Sequence, residues 1–339
     1  MTLVIPTATS LRGEPVLTPD EAAAAIAMAA RAPSVHNTQP WKFRICGDVI
    51  ELLADPDRLL RELDPAGREL MISCGAALFG LRLGLRSVGL LPAVEMLPDA
   101  AQPWLAGRVR PASREATNRA EIELAAAVPH RHTHRGAFAP GEVAPRLLAA
   151  LVADAAAEGA ELTLIDEAAL GSQLARLTDA AAADQRANPA LTAELRRWVR
   201  PPGSQLRDGV PAWAIARLSN RPEGAGPYLP PRDFGEPGRD ESGGVAPSAL
   251  AVLSTAGDTP ADWLRAGQAL HRLLLHAATR WVFARLQSQP LELPRYRSQV
   301  RDLLGTGYPH LLLQFGRSNT APATPRRPQA ELRTDQMQA

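Results

Sequence analysis

Ala32-Pro33-Ser34-Val35-His36-Asn37-Thr38-Gln39-Pro40-Trp41-Lys42-Phe43 is the stretch on which the reading of this chain turns. Upstream, Thr18-Pro19-Asp20-Glu21 supplies an N-cap, a proline at the first helical position and the glutamate of a capping box, which predicts a helix to about Ala30. Pro33 must end it, because the residue before a proline is pushed out of the α region. Downstream, Trp41–Cys46 and Val49–Leu53 read as strands joined at Gly47-Asp48. The loop is thus fixed between helix and strand by prolines. Its Ser34, Asn37 and Gln39 can each donate and accept hydrogen bonds, which suits a ligand with a planar polar edge. A plain connection built from Asx turns explains the same residues.

The chain has 339 residues with 37 basic and 36 acidic side chains, a formal net charge of +1. So balanced a charge offers no field for a phosphate backbone, which argues against a dedicated nucleic-acid binder. With 45% hydrophobic and 22% charged residues it can bury a sizeable core, and its length corresponds to two domain equivalents or one large one. Lys42 is the only lysine, so any bound anion meets guanidinium forks. Cys46 and Cys74 are isolated and read as small buried residues, not as a disulfide or a zinc set. Met1–Pro6 lacks a basic leader, and the longest apolar run, Ala22–Ala30, is too short to span a bilayer, so the expectation is a cytoplasmic protein without a membrane partner.

A second helix, about Glu69–Ser87, is rich in glycine and alanine and ends near Gly89, which points to close packing at the centre of the fold. Strands are expected at Ala93–Leu97 and Leu105–Val109. Past residue 125 the pattern restarts with helices Val143–Glu158, Glu167–Arg186 and Pro189–Val199, the last capped by Asn188, and a strand Glu161–Ile165. Pro201–Ser248 holds nine prolines and eight glycines with Trp213, Tyr228 and Phe234, and reads as a lid-like loop. Strand Ala249–Ser254, a long helix Ala261–Leu286 and strand Leu311–Phe315 follow. Hairpin-linked strands with flanking helices make an α+β layered fold, without the alternation of a dinucleotide-binding sheet.

No phosphate-binding glycine loop, nucleophile elbow or zinc-protease motif is present. His130, His132 and His134 alternate, but the arginines between them repel a cation and no carboxylate completes a metal set. Arg131-x-Thr133-x-Arg135 instead places two guanidiniums and a hydroxyl within reach of one phosphate, although a solvated arginine-rich connection has the same composition.

A-P-S-x-x-N-x-Q-P-W-x-F at residues 32–43 resembles the flavin-contact loop of the FMN-dependent nitroreductase family. R-H-T-H-R-G-A-F at 131–138 resembles its phosphate segment, Gln289-Pro290-Leu291-Glu292 its P-x-E segment near flavin N5, and Arg326-Arg327 its basic end. The layout is similar to the long, Acg-like branch. In ordinary members the phosphate arginines precede the loop; here the loop lies in 1–125 and the phosphate segment after 129. The resemblance therefore implies two nitroreductase-like halves fused in one chain, residues 1–125 and 126–320 with a basic tail 321–339, each donating part of one FMN site around a mixed sheet.

Carried over residue by residue, it assigns Arg131, Thr133, Arg135, Arg326 and Arg327 to the phosphate. Pro33, Ser34, Val35 and Asn37 go to the isoalloxazine and ribityl region, Pro290 and Glu292 to backbone contacts near N5, with Gln268 a lesser candidate; His132 packs beside the phosphate. The implied activity is NAD(P)H-dependent reduction of a nitroaromatic, quinone or similar small acceptor, with FMN as hydride carrier, one per chain, and no catalytic side chain of its own. The alternatives are an FMN storage or sensor protein with a closed lid and little turnover, and an oxidase for a larger substrate. The resemblance leaves a monomeric pseudo-dimer and a homodimer equally open.

Overall fold

The expected capping box forms: Thr18 accepts from the Glu21 N–H and the Glu21 carboxylate accepts from the Thr18 N–H, opening helix α1 (Pro19–Ala29). In a computed structural model the protein is described for residues 15–218, 229, 232–234, 239–241, 248–305 and 307–334. Much of the proline- and glycine-rich segment, Tyr228 included, the first 14 residues and the last five lie outside the described residues.

After α1 come β1 (Trp41–Cys46), β2 (Val49–Ala54), α2 (Arg68–Ser87), β3 (Leu90–Met96), β4 (Leu105–Arg114) and α3 (Arg119–Ala127). The chain then runs through α4 (Pro145–Ala157), β5 (Glu161–Leu164), α5 (Ala168–Ala187) and α6 (Pro189–Arg197). Four short strands follow, β6 (Val199–Arg200), β7 (Val210–Pro211), β8 (Ala216–Leu218) and β9 (Arg239–Glu241). The last part holds β10 (Ala249–Thr255), α7 (Pro260–Ala278), β11 (Val282–Gln287), α8 (Gln289–Glu292), α9 (Pro294–Leu304), β12 (Tyr308–Arg317) and α10 (Gln329–Leu332).

The topology repeats. One antiparallel sheet has the order β1-β2-β4-β3 and the other β11-β12-β10-β5, which read from its opposite edge is β5-β10-β12-β11. In each, a helix precedes the first strand and another separates the second strand from the third. The mixed pairing expected from sequence is confined to additions: Thr133 bridges Ala284 and Arg333 bridges Phe43 in parallel, and β6–β7 and β8–β9 are short parallel ladders.

Small residues in α2 do what their composition suggested. A Cβ on Gly75 would lie 2.2 Å from the Leu264 carbonyl oxygen, and one on Gly267 of α7 would lie 2.0 Å from that of Ile72. Gly80 and Gly84 admit the backbone of α1 at Ala29 and Ala25 in the same way. Although α2 is apolar and long enough to cross a membrane, 89% of its most apolar window is buried inside the protein, which makes it a core helix.

Some boundaries differ from the sequence reading. The long helix stops at Ala278, and Trp281, with φ of 55°, turns the chain into β11, whose alternation of Phe283, Arg285 and Gln287 with small or apolar residues satisfies a buried strand beside β12. α3 and α9 went unread: each buries only one residue, Ala127 or Val300, although in α9 Tyr296, Val300, Leu303 and Leu304 do form an apolar stripe. Cys74 is buried as expected, whereas Cys46, at the end of an edge strand, is exposed.

Overpacking tests the helix crossing: Gly267→Ala lowers unfolding free energy by about 3 kcal/mol in denaturant titration, since backbone carbonyls cannot swing aside. A second prediction concerns acid. Partial burial by itself raises the Asp258 carboxyl, but the Arg297 fork at 2.7 and 2.8 Å and the Trp263 N–H at 2.7 Å outweigh it and hold the group down to about 2. Its folded pKa lies below its unfolded value, so its contribution is full above pH about 4 and is lost as pH falls through about 2. Calorimetry from pH 6 to 2 should show a shallower loss of stability for Asp258→Asn, by about 2 kcal/mol across that window.

Candidate functional site

The loop after α1 is held in a conformation that L-residues avoid: His36, Asn37 and Gln39 have φ of 44°, 56° and 49°. Hydrogen bonds fix it from several directions. Ser34 Oγ accepts from the Gln39 N–H at 3.0 Å, and the Val35 N–H donates to Ser73 Oγ on α2 at 3.1 Å. Asn37 Nδ2 donates to the carbonyls of Gly209 and Pro325 while its Oδ1 accepts from Arg326 Nη1 at 3.0 Å. Gln39 Nε2 donates to the Arg207 carbonyl, and its Oε1 accepts from the Arg327 N–H. Asn37 and Gln39, whose polarity suggested a ligand edge, are therefore spent on the protein. They clamp the start of the proline-rich segment and the C-terminal tail to the loop.

Below the loop lies a cleft, partly open to solvent, with about 830 Å³ of empty space when the solvent-open part is counted. Pro33, Ser34, Val35 and His36 form one wall, and Thr133, His134 and Arg135 another. Glu69, Ile72 and Ser73 come from α2, Leu270 from α7, and Arg285–Ser288 from the end of β11. Of the proline-rich segment, Ile215, Arg232 and Phe234 line it. Burial pushes the Glu69 carboxyl up, despite Arg68 Nη2 at 2.9 Å.

At one end of the cleft the alternation of R-x-T-x-R has its consequence. Thr133 bridges to β11, and Arg135, the one of these arginines that lines the cleft, gathers with Arg131, Arg326 and Arg31, at the end of α1, which stand behind it. Burial lowers Arg131 to about 10, assisted by the charges of Arg31 and Arg135; burial alone lowers Arg135 to about 10. Arg326 is depressed well below its ordinary value by burial and by Arg131, Arg31 and Arg135. No acidic side chain is ion-paired with any of these four among the described residues, and Nε of Arg31, Arg131 and Arg326 and Nη1 of Arg131 are buried without a partner. Guanidiniums without an acidic partner at this density, some of their nitrogens unsatisfied even though Arg326 spends both Nη groups on Asn37, Thr324 and backbone carbonyls, suit a multiply charged anion.

The remaining expected residues fall elsewhere. Arg327 is committed to Gln39 and Glu331 and stands apart from the cluster. Pro290 and Glu292 are buried behind the cleft: the Leu291 and Glu292 N–H groups both donate to the Ser288 carbonyl, and the Glu292 carboxylate takes Arg232, Ser288 and Gln185. The cleft is reached instead by Gln287 and Ser288. Gln268 faces away, with Arg82 at 2.8 Å and Met96. His132 packs on Phe283 at 4.3 Å, and among the described residues no cluster of His, Cys, Asp and Glu could hold a metal. Arg31, His36, Glu69, Arg232 and Arg285 were missed by sequence reading. Only Arg31 carried a signal, being the last charge before the loop.

No protein-family model matches the chain. A Mycobacterium tuberculosis protein named "Putative NAD(P)H nitroreductase Rv3131" is 33% identical over 312 residues, 89% of this chain and 88% of that one. The chain belongs to the nitroreductase family. A second nitroreductase relative from the same organism, named with acg, is 26% identical over 321 residues, 92% of this chain and 95% of that one. Among solved structures, a Mycobacterium smegmatis nitroreductase, NfnB, in complex with NADPH shares 16% identity over 62% of this chain and 96% of its own, with a TM-score of 0.37. A Desulfitobacterium hafniense nitroreductase with bound FMN shares 13% over 62% and 95%, also at 0.37. Both are too distant to bear on where a ligand sits in this chain.

The cluster makes a prediction about the flavin-free protein. Arg131→Met removes a buried repelled charge while keeping volume, so its melting temperature should rise above that of the unsubstituted chain in phosphate-free buffer. Titrated inorganic phosphate should stabilise the unsubstituted protein and act on the variant only at concentrations about 10- to 100-fold higher.

Proposed function

We propose that this chain is an FMN-dependent NAD(P)H oxidoreductase holding one flavin in the cleft and reducing small nitroaromatic, quinone or similar acceptors. The observation that carries the reading is the four-arginine cluster that reaches the cleft through Arg135, whose unpartnered buried nitrogens suit the terminal phosphate of FMN. Arg31, Arg131, Arg135 and Arg326 would hold that phosphate, with Thr133 beside them. Pro33, Ser34 and Val35 would lie along the ring system, and Gln287 and Ser288 at the far wall. When bound, FMN supplies the hydride chemistry. The chain's own residues orient it, exclude water and bring the acceptor within reach. The name of the 33% identical Mycobacterium tuberculosis relative supports an NAD(P)H donor without choosing between NADH and NADPH.

The residues also support one site per chain and a fused pair of nitroreductase-like halves. By topology, the connection matching the 30–40 loop is 158–160, between α4 and β5. There Glu158 pairs with Arg82 and Arg272, Asp154 with Arg272 and His276, and Gln268 bonds Arg82. An ion-pair network occupies the position where a second loop would stand. A second reading, FMN storage with little turnover, is favoured by Ile215, Arg232 and Phe234, which bring the proline-rich segment over the cleft.

Anaerobic titration of the purified yellow protein separates the two readings. Bleaching of the flavin band by NADH or NADPH is the expected result. Bleaching by dithionite alone would establish storage instead. Flavin content should be one per chain; two per chain, or undiminished retention in Arg131→Ala/Arg326→Ala, would sink the single-site assignment.

A further inference from the structure

Two polar side chains lining the cleft carry nitrogens that have no partner among the described residues. Arg232 has a side-chain exposure of 8%; its Nη2 is committed to Glu292 and to Ser288 Oγ, while Nη1 is buried without a partner. His36 is 8% exposed and its Nε2 is likewise buried and unpartnered. Both line the same cleft as Phe234, against whose ring the His36 ring stands edge-on at 5.4 Å. Leaving two buried polar groups unmade costs about 1–3 kcal/mol each, which stable proteins tolerate where a ligand completes them. The left-handed backbone of His36, at φ 44°, adds a second cost at the same spot.

We propose that Arg232 Nη1 and His36 Nε2 form a two-pronged clamp for an oxygen of the electron acceptor, selecting aromatic acceptors that carry a nitro or carbonyl group. The proposal rests on the oxidoreductase reading above and names the residues that set its acceptor class. Arg232 is already neutralised by Glu292 and His36 is uncharged, so the two prongs themselves carry no net charge, although Arg135 and Arg285 also line the cleft; this favours a neutral oxygen over a free carboxylate as the group held. A neutral oxygen with two lone pairs fits one N–H from a guanidinium and one from an uncharged imidazole. His36 is held uncharged by burial, with the charges of Arg232 and Arg135 acting in the same direction. Phe234, Ile215 and Val35 supply apolar surface for the ring that carries the oxygen.

The test compares 4-nitrobenzyl alcohol with 4-isopropylbenzyl alcohol, alike in shape but differing in the two oxygens, by calorimetric titration of the oxidised holoprotein without a reductant. The unsubstituted protein should prefer the nitro compound by about tenfold. Arg232→Lys keeps a cation for Glu292 but cannot also reach the cleft, and His36→Asn tolerates the left-handed backbone but is too short. Each should bring the preference to within about twofold, with flavin content and flavin midpoint potential unchanged. Equal affinity for the two alcohols in the unsubstituted protein, or a preference kept in both variants, would overturn the clamp. Lost flavin or a shifted potential in either variant would overturn it too, by showing that these N–H groups serve a flavin carbonyl. Since calorimetry needs no colour, a protein that takes up no FMN yet still prefers the nitro compound would sink the flavin reading and leave the clamp standing.

Discussion

Everything in this structure that could act on a ligand depends on the backbone-to-backbone crossing of α2 and α7. At Gly75 and Gly267 the helices approach so closely that a methyl group on either would overlap a carbonyl oxygen of the other. The crossing fixes two sheets of like topology about one axis of contact. It also brings the first turns of α2, with Glu69, Ile72 and Ser73, beside Leu270 of α7. Ser73 then anchors the 33–40 loop through the Val35 N–H, and β11, which follows α7, anchors the 131–135 segment through Thr133. Neither anchor exists without the helices in register, so the cleft is a consequence of two glycines that never touch it.

Unfavourable energy is concentrated around that cleft. On one side stand residues with left-handed backbone, overdetermined by hydrogen bonds from α2, the proline-rich segment and the tail. Beside it stand Arg131 and Arg326, held below their ordinary pKa by burial and by neighbouring guanidiniums, with nitrogens left unpaired. Elsewhere charges are managed conventionally: Arg86 with Glu121, Arg108 and Arg44 with Glu51, Arg297 with Asp258. The contrast is physical evidence for function, because a fold able to pair its arginines this thoroughly has no structural reason to leave Arg31, Arg131, Arg135 and Arg326 without an acidic partner.

Local signals were legible in the sequence and distant partnerships were not. The capping box at Thr18, the Gly47 hairpin and the glycine spacing of α2 each depend on neighbours within a few residues, and each formed as read. The break at Trp281 did not announce itself, because Val282–Gln287 carries apolar residues at spacings that also fit the last turns of α7. Site residues followed the same division. R-x-T-x-R could be read because alternation alone puts Arg131 and Arg135 on one side of an extended segment. Asn37 and Gln39 misled, since whether an amide faces a ligand or a carbonyl at Gly209 or Arg207 is decided by chain more than 160 residues away. Arg232 lies in a segment with no periodicity to read.

Repeated topology does not make the two helix-to-strand connections alike, and only the first contributes a wall to the cleft described above. The difference lies in connection length more than in residue type. Between α1 and β1 the chain has residues 30–40 in which to turn back, present a wall and capture the tail, and it uses proline and left-handed residues to do so. Between α4 and β5 it has only 158–160, and Glu158 drops directly onto Arg82 and Arg272. That network buries its carboxylates with satisfied partners, so nothing there remains to be completed by a ligand. The tail reinforces the difference: Arg333 and Thr334 extend the edge of β1, which carries Arg326 and Arg327 past the loop on that side alone. Two sheets of one topology are thereby made unequal by two short connections, and the cleft belongs to the contact between them, not to either.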